Sequence, residues 1–336
     1  MKILQLINSL AAGGAEKLLV DSAIGYHNKG INVDILVLRN GPSPFIDKLK
    51  KYQNIKIFDL GENTNVYNPK LIFSLHKYFK NYDIIHVHLF PALYWASLAR
   101  FFGPSKYKIL LTEHSTNNKR RNKPLYRFID RIIYKQFKFI VPISNSASEN
   151  LKKHLGPTYN NIITINNGIN LELISKAKAY PKSKLNLSEE DFVLIQVSSF
   201  RYPKDQKTVI HALKLLPDNI HLLLVGEGPL KQENIDLSNK LELTSRVHFL
   251  NLRNDVPNLL KSADIAILSS HYEGLSLSSV EGLASGKPFL ATDVPGLTEV
   301  VKGAGILFPY GDEKKLAEII INLKNNLEFY SEISDR

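Results

Sequence analysis

The chain has 336 residues, of which 44% are hydrophobic and 22% are charged, and it contains no cysteine. This length allows two domains of ordinary size, and the composition is that of a soluble globular protein. No apolar run approaches the ~20 residues of a membrane span. The lack of cysteine excludes disulfides and thiol-based metal sites, which suits a reducing cytoplasm. The net charge of +11 lies in the first half, since residues 1–165 hold 24 Lys and Arg against 10 Asp and Glu and residues 166–336 hold 19 against 22, which implies an anionic partner: a phospholipid surface, a nucleic acid or an acidic acceptor.

Short apolar runs alternate with helix-like segments in the first half. We predict strands at 3–7, 33–38, 55–58, 84–88, 109–112, 139–142 and 162–165. Runs of Ile, Val and Leu this continuous are typical of parallel strands buried on both faces, and their alternation with helices predicts right-handed βαβ units. The first run is too short for a secretory signal.

The same alternation restarts in the second half, after a polar, Lys-rich stretch at 171–187. We predict strands at 192–197, 220–225, 247–250, 265–268, 288–291 and 305–307. The pattern therefore predicts an α/β fold of two Rossmann-like, doubly wound domains, 1–170 and 171–336. Ligands of such sheets bind beyond the carboxyl ends of the strands, so we expect the sheets to face each other across a cleft with one substrate on each.

The loop after the first strand carries Gly13 and Gly14. Glycines at a strand-to-helix turn let the backbone approach a ligand closely, although packing alone can also require them. No Gly-Lys-Ser/Thr sequence follows, so this is not a Walker loop.

Histidines mark two further strands of the first half. His114 follows the run 109–112, and imidazole suits hydrogen bonding and proton transfer near neutral pH, although a lone loop histidine is more often only hydrogen-bonded. His86 and His88 project to one face of their strand. Because no carboxylate follows at metal-site spacing, we expect packing groups rather than zinc ligands.

The densest basic stretch is 119–138, with eight basic residues and one acidic residue. Pro124 is well placed to begin a helix. The basic candidates for acceptor or membrane contact are Arg120, Arg127, Arg131 and Lys135, with Phe128, Ile132, Tyr134 and Phe137 as apolar neighbours. Such a helix can dock on an anionic bilayer, at ~1 kcal/mol per basic residue. A solvated helix with its apolar side in the core fits the pattern equally well.

The loop 198–207 follows a strand and opens a helix, and it holds Arg201 and Lys204. Cations here can neutralise a diphosphate leaving group, a stabilisation worth ~3 kcal/mol for one donor group. A solvated, Lys-rich helix start is the alternative. Two later loops, 225–230 with Gly226 and 248–256 with Leu252 and Arg253, are further strand-to-helix connections.

Glu273 and Glu281 stand eight positions apart around the strand-to-helix turn of the segment 271–288. N–H groups at the helix start can hold a phosphate, and carboxylates on either side can accept hydrogen bonds from sugar hydroxyls. This is the chemistry of a sugar nucleotide lying across the turn, although an ordinary strand-to-helix crossover with solvated glutamate side chains also accounts for the pair by itself.

The segment 271–301, with the loops described above, resembles the donor site of glycosyltransferase family four, the retaining transferases of the GT-B fold. The resemblance implies that Lys204 binds phosphate, that Glu273 binds hydroxyls of the donor sugar and that Glu281 binds the ribose. The diphosphate would meet backbone amides of Gly274, Leu275, Ser276 and Leu277.

Other positions follow from the same resemblance. Backbone groups of Leu252 or Arg253 would read the base, with Gly226 near the nucleotide. His114 would lie near the acceptor and the reacting sugar, and the Gly13–Gly14 loop would line the cleft. Two positions depart from the family pattern. Its partner arginine falls on Ser199, with Arg201 two residues on, and Asn251 replaces a frequent glycine, which leaves the base open.

The function implied is a retaining hexosyltransferase that moves a sugar from a nucleoside diphosphate donor, UDP-linked in our expectation, to a hydroxyl of a glycan or lipid-linked glycan in surface polysaccharide synthesis. Glu273, Lys204 and His114 are the expected catalytic residues. No metal or other cofactor is expected, and the protein is expected to be cytoplasmic or peripheral on the inner face of the cell membrane.

Two alternatives share some of these features. An epimerase or glycan phosphorylase has the same architecture, although no Schiff-base lysine pattern is present. A nucleic-acid-binding protein would need basic, aromatic-studded strands or a recognition motif, and neither occurs, so we expect no nucleic-acid partner. The helix that in the family crosses back to the first domain is expected to be short or absent.

Overall fold

The protein divides into two compact units, Met1–Asn167 and Gly168–Arg336. The sequence predicts ranges of 1–170 and 171–336 for its two domains. The structure, a computed structural model, describes residues 1–11, 13–41, 43–103, 106–114, 121, 123–156 and 159–336. Each unit is an α/β unit built on its own sheet.

The N-terminal unit is built on a parallel sheet of six strands in the order β3-β2-β1-β4-β5-β6. Its strands are β1 (Lys2–Ile7), β2 (Asn32–Val37), β3 (Ile57–Asp59), β4 (Ile84–His88), β5 (Lys108–Glu113) and β6 (Phe139–Pro142). Its helices are α1 (Gly14–Asn28), α2 (Pro44–Lys50), α3 (Leu71–Phe79), α4 (Ala92–Phe102), α5 (Pro124–Tyr134) and α6 (Asn145–Leu155).

Alternate residues of the strands face opposite layers of helices, because side chains alternate across a strand. Ile3 and Ile7 of β1 pack with Leu19 of α1 on one face. Leu4 and Leu6 join the cluster that covers the other face. The sheet is therefore covered on both sides, as the continuous apolar runs predict.

One predicted strand of this unit is wrong. Residues 162–165 form no strand, and a single bridge joins Ile162 to Ile140 of the edge strand β6. The backbone N–H of Ile163 donates to the carbonyl of Ile140 at 2.9 Å. Ile163 and Ile165 are about half exposed. The segment thus follows the sheet edge without a covering layer for its apolar side chains, a situation that the residue types do not reveal.

The C-terminal unit is built on a second parallel sheet of six strands, in the order β12-β11-β10-β7-β8-β9. Its strands are β7 (Phe192–Val197), β8 (Ile220–Val225), β9 (Val247–Phe249), β10 (Ile265–Leu268), β11 (Phe289–Thr292) and β12 (Ile306–Phe308). Its helices are α7 (Leu171–Ser175), α8 (Gln206–Lys214), α9 (Lys231–Lys240), α10 (Val256–Ser262), α11 (Leu277–Leu283), α12 (Thr298–Val301), α13 (Glu313–Asn325) and α14 (Leu327–Asp335), with a 3-10 turn at Lys182–Leu185.

The last helix, α14, packs on the C-terminal unit itself. Ile333 is buried in that unit's core, and the hydroxyl of Tyr330 donates to the carbonyl of Asp264 at 2.7 Å. Within the described parts of the chain, every helix is too short or too polar to cross a membrane.

Each sheet reverses its strand order at one place. The chain runs outward from β1 to β2 and β3, and then returns so that β4 pairs with the other side of β1. In the same way β10 returns to the free side of β7. Such reversals open a crevice beyond the carboxyl ends of the two strands, where open α/β sheets bind ligands. The topology therefore directs attention to the loops that follow β1, β4, β7 and β10.

Candidate functional site

The two charged residues singled out by sequence after β7 and β10 meet in the structure. The ammonium group of Lys204 donates to Oε1 of Glu273, and the hydroxyl of Ser270 donates to the same oxygen at 2.5 Å. The side chain of Lys204 is 14% exposed and that of Glu273 is 10% exposed. Charges this far removed from water need a partner, so each holds the other in place at the switch point of the second sheet.

Backbone contacts attach the Lys204 loop to the segment that follows β10. Lys204 and Ser270 form an antiparallel bridge. The N–H of Asp205 donates to the carbonyl of Ser269 at 3.1 Å, and the N–H of His271 donates to that of Pro203 at 2.9 Å. These contacts fix the backbone on both sides of the ion pair, so the pair depends little on side-chain freedom.

Sequence reasoning missed two hydroxyl residues that support Glu273. Ser270 binds its carboxylate, and Thr292 at the end of β11 binds Ser270 in turn. Oγ1 of Thr292 accepts from the N–H of Ser270 at 3.0 Å and donates to its carbonyl at 2.8 Å. The only sequence signal is a small hydroxyl residue directly after or at the end of a strand, and that signal is weak without the strand order.

Two glycines allow loops of this site to approach closely. A Cβ on Gly226 would lie 2.1 Å from the carbonyl oxygen of Ser198, and one on Gly296 would lie 2.2 Å from that of Glu273. Gly296 also has a φ of +87°, in the region that other residues rarely adopt. Gly226 therefore has a packing role against the backbone of Ser198 and Ser199, and its contact with a nucleotide remains a prediction.

Asn251 stands where the family frequently has glycine, and its backbone supplies the reason. Its φ is +55°, a left-handed conformation that Asn tolerates better than most residues do. Its carbonyl accepts from the N–H of Gly226 at 2.9 Å. Asn251 thus adopts a conformation that glycine also adopts readily.

Leu252 and Arg253, the residues expected to bind the base, come directly after Asn251 in the chain. Leu252 is partly buried and Arg253 is exposed. The guanidinium of Arg253 binds both carboxylate oxygens of Asp255, at 2.8 and 2.6 Å. Together with the hydroxyl of Tyr180, this contact lowers the pKa of Asp255 to about 2. The Arg253 side chain is therefore engaged within the loop, which leaves its backbone as the group to face a ligand.

The remaining donor candidates lie on the same edge. Arg201 is exposed, and Ser199 binds the amide of Gln206 at 3.0 Å through its carbonyl. Gly274, Leu275 and Ser276 form the turn before α11, which starts at Leu277. Glu281 lies on α11 and is 8% exposed. The loops after β7, β8, β9 and β10, together with α11, thus carry the donor candidates of this unit.

Aromatic side chains that sequence reasoning did not select lie beside the ion pair. The ring centroids of Tyr202 and His271 are 4.8 Å apart, and those of His271 and Tyr310 are 4.6 Å apart. Tyr202 is 64% exposed and Tyr310 is 50% exposed. They come from different loops, so no local pattern could have grouped them.

In the N-terminal unit, His114 ends a row of polar side chains on one sheet face. Gln5 is paired in register with His86, and His88 with Thr112. Nε2 of His86 lies 2.7 Å from Oγ1 of Thr112, and Nδ1 of His88 lies 3.0 Å from Nε2 of His114. Nε2 of His88 lies 2.8 Å from Oε1 of Gln5. The row thus reaches from β1 to the carboxyl end of β5.

Burial controls the charge of these rings. It lowers the pKa of His86 and of His114 from 6.5 to about 4 and lowers that of His88 well below 6.5. For His88 and His114 the neighbouring rings lower the pKa further. Both nitrogens of His88 are engaged, and among the described residues no group of three or more His, Cys, Asp or Glu could hold a metal.

Both halves of the chain match known sequence families. Residues 178–336 match the family described as "Glycosyl transferases group 1", and residues 12–173 match "Glycosyltransferase Family 4". The chain belongs to glycosyltransferase family four. This transferase therefore carries its Lys204–Glu273 pair within the group 1 match and its His114 within the family 4 match.

Two relatives of the transferase have names that specify different reactions. It is 29% identical over 264 residues to N-acetyl-alpha-D-glucosaminyl L-malate synthase of Bacillus anthracis, covering 76% of this chain and 69% of that one. It is 27% identical over 276 residues to UDP-Gal:alpha-D-GlcNAc-diphosphoundecaprenol alpha-1,3-galactosyltransferase of Escherichia coli, covering 76% and 70%.

A solved structure shares the fold of the transferase. The crystal structure of Anabaena Alr3699/HepE in complex with UDP and glucose matches with a TM-score of 0.84 at 23% identity, over 99% of this chain and 92% of that one. Together with the two parallel six-stranded sheets, this match shows that the transferase has the GT-B fold.

The first loop of the transferase has room at one of its two glycines. Gly13 precedes α1 and Gly14 begins it. A Cβ on Gly14 would meet nothing within 4 Å, whereas one on Gly13 would lie 2.3 Å from Oε2 of Glu16. Packing among the described residues therefore does not require glycine at position 14, which is consistent with the hypothesis that a ligand approaches this backbone.

The basic helix of the transferase uses part of its charge internally. The guanidinium of Arg127 donates to the carbonyls of His154 and Lys153, at 2.9 and 3.1 Å, and that of Arg131 donates to Leu155 at 2.9 Å. These are the last carbonyls of α6, which lack partners within their own helix. The two arginines therefore stabilise the C-terminus of α6, where cations are also favoured by the helix dipole.

The apolar side of this helix differs in part from the sequence prediction. Tyr134 and Phe137 are almost fully buried in the core, so their predicted surface role is wrong. Phe128 and Ile132 are 65% and 49% exposed, and Lys135 is exposed. The residues facing outward are thus fewer than the sequence suggests, and the remaining basic candidate, Arg120, lies outside the described residues.

Replacing Gly226 by alanine should destabilise the C-terminal unit. The new methyl group would collide with the Ser198 carbonyl, and overpacking of this kind costs about 1–3 kcal/mol. Gly168→Ala is the matched control, because a Cβ there would meet nothing within 4 Å. Urea unfolding followed by circular dichroism would measure both; equal stability of the two variants would contradict the close contact.

Acidification should destabilise the N-terminal unit. Above pH 6.5 the three rings are neutral in both the folded and the unfolded chain. Between pH 6.5 and about 4 the unfolded chain gains protons that the folded unit does not bind, so stability falls as the pH falls, by roughly 1.4 kcal/mol for each unit of pKa difference.

The single tryptophan, Trp95, lies on α4 of this unit and can report its unfolding. Urea unfolding followed by Trp95 fluorescence should show a smaller loss of stability on acidification in His86→Leu than in the unchanged protein. An identical loss in both proteins would contradict a neutral, buried His86.

Proposed function

We propose that the protein is a retaining glycosyltransferase that moves a hexose or N-acetylhexosamine from a UDP-linked donor to a hydroxyl of a glycan or lipid-linked glycan in surface polysaccharide synthesis. The observation that carries this proposal is the buried Lys204–Glu273 pair at the switch point of the second sheet. Open α/β sheets bind nucleotides at this place, and the pair offers one group for phosphate and one for sugar hydroxyls.

Donor binding follows from exchange of partners in this pair. The diphosphate takes the place of Glu273 on Lys204, with Arg201 beside it. Glu273, kept in position by Ser270, then accepts hydrogen bonds from hydroxyls of the donor sugar. Each charge keeps a partner throughout, which avoids the cost of an unpaired buried ion. Glu281 binds the ribose, and backbone amides of residues 274–277 meet the diphosphate.

Different observations support the proposed contacts with the base and the proposed choice of a UDP-linked donor. Leu252 and Arg253 offer backbone groups to the base, while the Arg253 side chain stays on Asp255. The choice of UDP is supported by the E. coli relative, whose name specifies UDP-Gal, and by UDP in the Anabaena structure. The lipid-linked acceptor is supported by the diphosphoundecaprenol in that relative's name.

The reaction proceeds on one face of the donor sugar. The bond between C1 and the β-phosphate oxygen breaks as the acceptor oxygen bonds to C1 from the same side. The acceptor proton passes to the departing phosphate oxygen, and UDP leaves. Lys204 stabilises the developing negative charge, which is the largest usual contribution to such catalysis. Because this cation supplies the positive field, we expect activity without an added divalent metal. His114 lies near the reacting sugar.

The exposed face of α5 is proposed to contact an anionic membrane near a lipid-linked acceptor. Phe128 and Ile132 project apolar groups beside Lys135. Apolar insertion combined with basic charge is how interfacial helices bind anionic bilayers. Arg127 and Arg131 keep the α6 carbonyls as partners and add charge to the same surface.

A panel of nucleotide sugars, assayed by release of nucleotide with and without EDTA, would test the activity. Lys204→Ala should lower kcat by roughly 100-fold, since it removes one group that stabilises the leaving phosphate. Glu281→Ala should chiefly raise KM for the donor. Lys207→Ala is the matched control, because Lys207 is half exposed and pairs with Glu233. If Lys204→Ala and Glu281→Ala both matched the unchanged protein, the site assignment would be wrong.

Sedimentation with liposomes would test the membrane contact. The protein should bind vesicles rich in anionic lipid, and added salt should weaken binding because it screens the charges. A Phe128→Ser and Ile132→Ser double variant should bind less. Phe73→Ser should bind normally, since Phe73 is an aromatic residue on α3 that is at least as exposed as Phe128. These changes leave Arg127 and Arg131 of α5 and their bonds to the α6 carbonyls untouched. Absence of binding to anionic vesicles would remove this part of the proposal.

A further inference from the structure

A chain of hydrogen bonds leads from α1 to His114 inside the N-terminal unit. The hydroxyl of Ser22 lies 2.9 Å from the carbonyl of Leu19, and Nε2 of Gln5 lies 2.9 Å from that hydroxyl. The chain continues from Oε1 of Gln5 to Nε2 of His88 and from Nδ1 of His88 to Nε2 of His114.

The direction of each bond follows from the first one. A carbonyl can only accept, so the single proton of Ser22 points to Leu19. The Ser22 oxygen must then accept from the amide nitrogen of Gln5. This orients the amide so that its oxygen faces His88, and that oxygen can only accept. Nε2 of His88 therefore carries a proton.

The two rings then have only one consistent arrangement. A neutral imidazole carries one proton and presents one acceptor nitrogen. With its proton on Nε2, His88 accepts at Nδ1, so the proton between the rings belongs to Nε2 of His114. Both rings are neutral near pH 7, because burial lowers the pKa of His114 to about 4 and that of His88 well below its usual value.

Gln5 is a polar residue at a position of the strand where the neighbouring residues on the same face are apolar. Gln5 is fully buried on β1, between Ile3 and Ile7 on the face covered by α1. An apolar side chain would pack there at no cost, whereas a buried amide is tolerated only when its groups are hydrogen-bonded. Both ends of the Gln5 amide are engaged, one by Ser22 and the other by His88.

We propose that Gln5 and His88 are positioning residues that hold His114 in the tautomer with its proton on Nε2, so that Nδ1 accepts a hydrogen bond from a hydroxyl of the bound substrate. The described residues supply no hydrogen-bond partner for this nitrogen. This inference rests on the proposed function.

The tautomer has a consequence for specificity. A lone pair attracts a hydroxyl proton and repels a phosphate oxygen or a ring oxygen, so His114 recognises a substrate hydroxyl and does not act as a donor to the leaving group. Sites that hydrogen-bond a hydroxyl discriminate against analogues that lack it. The substrate class is therefore a sugar that keeps a free hydroxyl at the ring position facing His114.

Nitrogen NMR of the full chain labelled with ¹⁵N-histidine tests the tautomer directly. His114→Gln assigns the signals. We expect Nε2 of His114 to be protonated and Nδ1 to be unprotonated near neutral pH. The opposite pattern would overturn the proposal, and this result does not depend on any activity.

Substitutions then separate positioning from folding. Gln5→Met removes the groups that orient His88, so both tautomers of His114 should be populated. Ser22→Ala, at a less buried place on α1, frees the amide to rotate and should act in the same direction, while Ser22→Thr keeps the hydroxyl and should preserve the single tautomer. Thr112→Val is the matched control, since it removes a neighbouring buried bond that ends at His86. An unchanged tautomer in both Gln5→Met and Ser22→Ala would contradict the relay.

Kinetics with monodeoxy donor analogues test the use of the lone pair. The unchanged transferase should discriminate against the analogue that lacks one particular hydroxyl. In Gln5→Met that discrimination in kcat/KM should fall by roughly fivefold to tenfold, the worth of one hydrogen bond, and in Thr112→Val it should persist. Equal discrimination in all three proteins would refute the substrate contact. Absence of turnover with every nucleotide sugar would instead count against the proposed function.

Discussion

The pairing of Lys204 with Glu273 is the constraint on which the C-terminal site depends. Both side chains are largely withdrawn from water, and neither could remain there as an ion without the other. A ligand can replace either partner only by offering a group of the same kind. A phosphate can bind the ammonium group and a hydroxyl can bind the carboxylate. A molecule that carries both groups on adjacent parts therefore fits the site better than one that carries only one of them.

The backbone around this pair explains why it can act as a fixed unit. Lys204 is bridged to Ser270, and Glu273 is approached so closely by Gly296 that no side chain would fit between them. Close backbone contacts therefore hold the loops after β7, β10 and β11 together. Rigid donors are worth more in catalysis than flexible ones, because no reorganisation is needed when charge develops.

At its own switch point the N-terminal unit buries neutral polar side chains, whereas the C-terminal unit buries a pair of charged ones. The N-terminal unit buries three histidines as neutral rings, and hydrogen bonds that lead from Gln5 order the protons of His88 and His114. Its excess of basic residues is also partly structural, since Arg127 and Arg131 bind the last carbonyls of α6. A count of charges along the sequence therefore overstates how many cations are available to an outside partner.

The sequence by itself determined the architecture, because continuous apolar runs alternating with helices leave few folds other than two doubly wound sheets. It identified all twelve strands of the described residues. It also predicted a strand at 162–165 that does not form, because Ile163 and Ile165 follow the sheet edge without a covering layer. It also pointed to Lys204, Glu273 and His114, since each follows a strand directly or within a short loop.

Only the tertiary structure decided how these residues are used. Glu273 is supported through Ser270 by Thr292 at the end of the neighbouring strand β11. The path to His114 runs from Ser22 on α1 through Gln5 on β1 and His88 on β4. Both depend on elements that are neighbours in space but separate in the chain. The direction of a hydrogen bond depends on which groups are neighbours, and strand order and register decide which side chains are neighbours. Local sequence patterns contain neither the strand order nor the register, because the connections between parallel strands do not determine the residue types that pair.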